Sequence, residues 1–198
     1  VSVTNQWGSL LLIAPPLFLD FAMSKQELRQ AAFESSGISY EQSLEAAQLN
    51  PSLYKRLGEE GFLSLSTLFY DRVFEDKEAT WFLNIFSSST KNGAIDNQYR
   101  FLVQTFGGPD LYREKKGKYT RLVGRHANFN IGTNAAFRWV EHMERAMQEH
   151  VLLRGDEEAT NALKKYFAFT AHYIVAASEY MRSDQLSGGT QMDQGQNW

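Results

Sequence analysis

The sequence contains no cysteine among its 198 residues. This absence excludes disulfide bonds, thiol catalysis, and the zinc and iron–sulfur sites that are built from cysteine ligands. Any metal must therefore be held by histidine, by carboxylates or by a prosthetic group. Proline is scarce as well, with 4 residues, and no segment alternates apolar and polar residues as a half-buried strand does. These absences favour an all-α fold.

An excess of positive charge is also missing. The 20 lysine and arginine residues are outnumbered by 23 aspartate and glutamate residues, which gives a net charge of −3. A general nucleic-acid binder needs a positive field that meets the phosphates, so we do not expect nucleic acid as a partner. A membrane is not expected either, because the apolar run at residues 10–21 is too short to span one and Pro15 and Pro16 interrupt it.

The chain divides into four segments by composition and pattern. Residues 1–22 are predicted to be a leader or a non-native segment outside the fold, and residues 23–51 a helical extension. Residues 52–182 form the main domain, and residues 183–198, rich in Ser, Gly, Gln and Asp, are predicted to be a disordered tail. We expect the protein in the cytoplasm, or in a plastid if residues 1–22 are the remnant of a transit peptide.

Apolar residues recur at intervals of three and four along most of the chain, which is the spacing of amphipathic helices. Residues 39–42 (SYEQ) fit a capping box that opens a short helix, and Gly58 is predicted to end another. A longer helix should follow over residues 60–75. Further helices are predicted over residues 24–34, 78–86, 91–106 and 133–149, with Thr133 as an N-cap, and from residue 156 or 157 to about residue 181.

Three of the four histidines lie within or at the end of these helical patterns. His172 falls opposite the apolar face of the last helix and is predicted to be exposed. His150 ends a helix, where a cationic side chain would interact favourably with the helix dipole. His142 is predicted to lie on the flank of its helix rather than to bind a ligand.

The stretch from Phe106 to Phe129 has almost no helical or strand periodicity. It contains a Gly-Gly-Pro break at 107–109, a basic run and the fourth histidine, His126. A long irregular segment inside a compact helical domain is uncommon, and is usually functional or disordered. We interpret the stretch as one that holds a flat, anionic cofactor with His126 as the ligand. The alternative is a solvated loop with a structural histidine.

Gln98 lies on the stripe of the predicted helix 91–106, at a position where an apolar residue is expected. A buried amide without partners costs about 1–3 kcal/mol. Gln98 should therefore meet a ligand or bond to the backbone.

Several of these motifs together resemble the truncated, two-on-two haemoglobins over roughly residues 53–181. The resemblance is greatest to the second group, in its plant-type subset with N- and C-terminal extensions. It rests on FYDRV (69–73), Phe86, AIDNQYRFLVQTFGGP (94–109), LY (111–112), RH (125–126) followed by Phe129, and RWVEHM (138–143).

The resemblance implies a two-on-two helical sandwich around haem b, with the proximal region reduced to a loop and one turn. It implies that His126 is the proximal ligand of the iron, and that Tyr70, Gln98 and Trp139 are the distal residues facing a bound gas molecule. Ala94 would replace the distal histidine of many globins and leave the sixth coordination position open. The implied haem contacts are Phe69, Phe86, Ala94, Phe101, Tyr112, Arg125 and Phe129.

Two features depart from the pattern of this family. Residues 117–120 make the segment before His126 longer than usual. Asn97 is an amide where some relatives carry a basic residue, so one contact to a haem propionate is missing. Arg125 and Tyr112 are the partners that remain for the propionates.

The resemblance implies a haem protein that binds O2, NO and CO. Three hydrogen-bond donors around the gas would slow the release of dioxygen, because each 1.4 kcal/mol changes a rate tenfold. Such a protein is suited to redox chemistry, either conversion of nitric oxide to nitrate with an unidentified reductase, or a peroxidase-like reaction. The alternatives are reversible oxygen storage or sensing, and a cofactor-free helical interaction module. The oligomeric state is expected to be a monomer or a homodimer.

Overall fold

The computed structural model describes residues 24–87, 89–117, 122–126, 129 and 131–187, and within them the chain is helical, with no strand. The α-helices are α1 (Lys25–Ser36), α2 (Tyr40–Ser43), α3 (Glu45–Gln48), α4 (Leu53–Glu75), α5 (Thr80–Asn84), α6 (Lys91–Thr105), α7 (Leu111–Lys116), α8 (Leu122–His126), α9 (Thr133–Glu149) and α10 (Glu157–Ser187). A 3₁₀ turn, Leu153–Gly155, connects the last two. The predicted all-α class is confirmed.

Two packed helix pairs form the body of the domain. Helix α4 lies along α6, helix α9 lies along α10, and α4 also contacts α9. The face of α4 that the sequence pattern predicted is fully buried at Phe62, Leu65, Phe69 and Val73. Because α4 contacts both α6 and α9, this face joins the two pairs. Burying each of these side chains contributes about 1.5–3 kcal/mol to the stability of the fold.

Polar caps explain where several helices begin. Ser39 accepts a hydrogen bond from the backbone N–H of Gln42, whose side chain bonds back to Ser39, which confirms the predicted capping box.

Gly58 has a φ of 65°, which breaks the helical geometry inside α4 where the sequence predicted a helix end.

The stretch from Phe106 to Phe129 is less irregular than predicted, since its described residues include α7 and α8. Both helices are too short for their periodicity to show in the sequence. The preceding turn is fixed by close packing, because a Cβ on Gly108 would lie 2.6 Å from both Tyr54 and Val103. The start of α4 and the end of α6 are thereby held together.

Two helix ends differ from the prediction. Gly132, not Thr133, is the N-cap of α9, and Thr133 is its first helical residue. Helix α10 runs to Ser187, beyond residue 181 and into the first residues that we assigned to the tail. The rest of that tail, and residues 1–22, lie outside the described residues.

The prediction that His172 is exposed is wrong. Its side chain is 3% exposed, because α1 packs against α10 on that side. The hydroxyl of Ser35 in α1 lies 2.6 Å from Nδ1 of His172, and the ring of Phe137 lies 4.8 Å from its ring. The helical extension thus covers the outer face of α10.

The other two helical histidines are also buried. His150 is not the cation expected at a helix end: its Nδ1 accepts from the N–H of Leu153, its Nε2 donates to the carbonyl of Gly61, and burial lowers its pKa. His142 is not a flank residue, since its Nε2 lies 2.8 Å from Oδ2 of the buried Asp76.

Among the described residues, no helix is both long enough and apolar enough to cross a membrane.

Candidate functional site

A cavity of about 310 Å³ lies between the two helix pairs. This volume is at the lower end of the range of about 300–1,000 Å³ that is usual for ligand pockets. Most of its wall is apolar or aromatic, and only a few polar groups interrupt it.

Nine of the eleven site residues predicted from the sequence line this one cavity. They are Tyr70, Phe86, Ala94, Gln98, Phe101, Tyr112, His126, Phe129 and Trp139. Phe69 is fully buried behind the wall, where its ring lies 4.8 Å from that of Tyr70 and 4.9 Å from that of Trp139. Arg125 belongs to α8, but its side chain lies outside the described part of the chain.

His126 is the last residue of α8 and has a defined ring orientation. Its Nδ1 lies 2.7 Å from the carbonyl oxygen of Leu122, one turn earlier, so this nitrogen carries the proton and donates it. In that tautomer the lone pair is on Nε2. Histidines that ligate metals are commonly oriented in this way, by donation from the other ring nitrogen to a carbonyl or carboxylate.

Tyr70 brings a hydroxyl to the cavity from α4. Its ring is enclosed by the rings of Phe69, Phe74 and Phe86, at 4.8, 6.3 and 5.9 Å. Burial raises the pKa of Tyr70, so the phenol keeps its proton and acts as a hydrogen-bond donor.

Gln98 of α6 also lines the cavity, and its side-chain oxygen is buried without a hydrogen-bond partner among the described residues. Buried polar atoms are almost always paired, so this one indicates a missing partner in the cavity. The oxygen and nitrogen of an amide exchange positions by a flip, so Gln98 can accept from or donate to that partner. Trp139 of α9 completes the polar set, and its ring lies 5.5 Å from that of Phe167.

Sequence reasoning did not identify the part of the wall that comes from α10, from α5 and the residue after it, or from the first turn of α9. The residues missed there include Phe82, Ile85, Ala135, Ala136, Tyr166, Phe167, Thr170, Ala171 and Ile174. The apolar face of the last helix was visible in the sequence but was not assigned to a cavity. Periodicity identifies a buried face without telling whether it meets another helix or a cavity.

Comparison with known proteins now identifies the family. The model of the family described as "Bacterial-like globin" matches residues 52–174. The chain belongs to the bacterial-like globin family.

Named relatives place this globin among the group II truncated haemoglobins. It is 39% identical to Two-on-two hemoglobin-3 of Arabidopsis thaliana over 160 residues, which are 81% of this chain and 88% of the relative. It is 40% identical to Group 2 truncated hemoglobin 3-1 of Lotus japonicus over 154 residues, 78% of this chain and 88% of the relative. It is 35% identical to Group 2 truncated hemoglobin YjbI of Bacillus subtilis over 126 residues, 64% of this chain and 89% of the relative.

The globin family implies haem as a cofactor, and the cavity has the features that haem requires. Its walls are largely apolar and aromatic, it contains one imidazole whose tautomer leaves a lone pair on Nε2, and it holds a buried amide, Gln98, that can turn its N–H groups towards a bound molecule. The residues of this globin therefore fit the group.

Proposed function

We propose that this globin binds haem b in the cavity, with Nε2 of His126 as the proximal ligand of the iron. The observation that carries the proposal is that His126 lines the same cavity as three hydrogen-bond donors, Tyr70, Gln98 and Trp139. Haem held there would supply an iron atom that binds a diatomic gas such as O2, NO or CO.

The apolar part of the wall would exclude water and hold the porphyrin by contact area. Phe86, Phe101 and Phe129 are the predicted haem contacts that contribute aromatic rings to this wall. Ala94 has the smallest side chain of the predicted contacts and contributes no polar group, so it leaves the distal position open. Arg125 and Tyr112 are the proposed partners of the haem carboxylates.

The three donors favour one kind of haem chemistry over another. Hydrogen bonds to a partly charged gas ligand are roughly twice as strong as bonds between neutral groups. Tyr70 keeps its proton because it is buried, so it is available to donate at any physiological pH. We propose that the donors slow the release of dioxygen, which suits a reaction of the gas better than delivery. One such reaction would combine dioxygen, nitric oxide and one electron to give nitrate, with the electron supplied by ferrous iron and restored by a reductase.

The absorption spectrum of the purified, haem-reconstituted protein in ferric, ferrous and carbonyl forms tests the proposal. We expect a Soret band and a ferrous spectrum typical of five coordination. No Soret band after reconstitution would refute haem binding and favour a cofactor-free interaction module. A rapid dioxygen dissociation rate in a protein that does bind haem would favour reversible storage or sensing instead.

A further inference from the structure

Three charged side chains meet beside Asn97 at the edge of the cavity. Asp96 of α6 accepts a hydrogen bond from Nε of Arg100, at 2.8 Å, and another from Nζ of Lys115. Lys115 belongs to α7, and its Nζ also lies 3.2 Å from Oδ1 of Asn97. Asn97 lines the cavity, so only the side chain of Asn97 lies between the cation of Lys115 and the cavity.

This cluster contains two cations and one carboxylate. Burial acts to raise the pKa of Asp96, but hydrogen bonds from Lys115 and Arg100 outweigh it and lower the pKa, so Asp96 is ionised. Arg100 lies four residues after Asp96 in the same helix and already pairs with it. Arg100 also interacts with Glu59. Because Arg100 and Lys115 share Asp96, Lys115 is not the only cation that balances this carboxylate.

Helix α7 combines this cation with a wall residue. Tyr112 lies one turn before Lys115, is buried, and lines the cavity. The resemblance to truncated haemoglobins implied that the amide at position 97 leaves one contact to a haem carboxylate missing. The fold brings a lysine from the neighbouring helix to the same place.

We propose that Lys115 binds a carboxylate of the haem beside Asn97, in place of the basic side chain that position 97 lacks. The inference rests on the proposed haem site. Asp96 keeps the lysine at the edge of the cavity and competes with the haem carboxylate for it.

The rate of haem loss tests this inference, measured as transfer of haem to a large excess of a scavenging apoglobin. An exposed ion pair contributes little free energy, so we expect Lys115→Ala to lose haem roughly two- to fivefold faster than the wild type. The matched control is Arg113→Ala, which removes one cation from the same helix but whose partner is Asp110. This control should lose haem at the wild-type rate, and equal rates for the two variants would overturn the proposal.

A second variant separates a haem contact from a simple tie between α6 and α7. If the pair with Asp96 only holds the helices together, Asp96→Asn must accelerate haem loss as much as Lys115→Ala does. If Lys115 serves the haem, Asp96→Asn removes a competing anion and haem loss is no faster than in the wild type. Asn97→Lys added to Lys115→Ala should restore slow loss.

Haem dimethyl ester, in which both carboxylates are uncharged, completes the test. The ratio of loss rates between Lys115→Ala and the wild type should fall to about one with this ester, whereas an unchanged ratio would refute a charge contact. If the wild type forms no Soret band at all, the haem site itself fails. If it binds haem and the variants do not differ, only the role of Lys115 fails.

Discussion

The guanidinium of Arg138 makes two hydrogen bonds to the carboxylate of Asp76. Nε lies 2.7 Å from Oδ2 and Nη2 lies 2.8 Å from Oδ1. The Asp76 side chain is 1% exposed and also accepts from Nε2 of His142 and from the backbone N–H of Ala79. These bonds fasten the segment between α4 and α5 to α9.

The same network fixes the part of α9 that reaches the cavity. Arg138 precedes Trp139 directly, and His142 follows it by three residues. The ring of His142 lies 5.7 Å from that of Phe82, a wall residue. A cluster whose three side chains do not line the cavity thus positions one of the proposed distal donors.

Replacing Asp76 by Ala should lower the free energy of unfolding by about 1–3 kcal/mol, because the donors of Arg138, His142 and Ala79 would lose a buried acceptor. The loss should be measured by chemical denaturation near pH 7. Hydrogen bonds from Arg138 lower the pKa of Asp76, so the native state stays ionised where the unfolded state takes up a proton. The stabilisation is therefore present above the ordinary carboxylate pKa and is lost as the pH falls below it.

Asp110→Ala is the matched control for this change. Asp110 also pairs with an arginine, Arg113, but the side chains are 43% and 59% exposed. Removing such a pair should cost about 1 kcal/mol or less. Equal losses for the two alanine variants would contradict the assigned role of burial.

The stability of the fold should decrease as the pH falls from 7 towards 5. Burial lowers the pKa of both His150 and His172, so these rings stay neutral in the native state while the unfolded chain binds protons from about pH 6.5 downwards. Each ring contributes a slope of at most about 1.4 kcal/mol per pH unit. Denaturation curves across this range should show the decrease. The free energy of unfolding of a double variant that carries His150→Gln and His172→Gln should depend less on pH.

Replacing His126 by Gly should abolish stable haem binding, because the cavity would lose the nitrogen that we propose as the iron ligand. Addition of imidazole should restore a five-coordinate ferrous spectrum, since the free ligand can occupy the space of the missing side chain. Titration with imidazole, followed at the Soret band, measures this. Retention of haem with an unchanged spectrum in the absence of imidazole would refute the assignment.

Replacing Tyr70 by Phe should speed dioxygen dissociation roughly 10- to 100-fold, the equivalent of one hydrogen bond to a charged group at about 1.5–3 kcal/mol. Stopped-flow displacement of dioxygen by carbon monoxide measures the rate. Tyr54→Phe is a suitable control, because this tyrosine lies in the same helix and packs against Gly108 outside the cavity. A rate that does not respond to Tyr70→Phe would contradict its proposed role.

The sequence predicted the features that depend on residues close together in the chain, and it missed those that depend on contacts between distant segments. The buried face of α4, the capping box at Ser39 and the break at Gly58 were predicted because each depends on residues close in the chain. The burial of His172 was missed because it depends on a helix more than a hundred residues earlier. The contribution of α10 to the cavity wall was missed because it also depends on packing between helices that are distant in the sequence.

The sequence by itself determined the helical class, the family and the residue types that a haem cavity needs, since these follow from local periodicity and from motifs of fixed spacing. Only the tertiary structure decided which of those residues share one cavity. It also decided that Asp76 and three histidines are buried, and that Lys115 reaches Asn97. Burial and charge pairing depend on which helices pack together, and no local pattern in the chain specifies the neighbours of a given side chain.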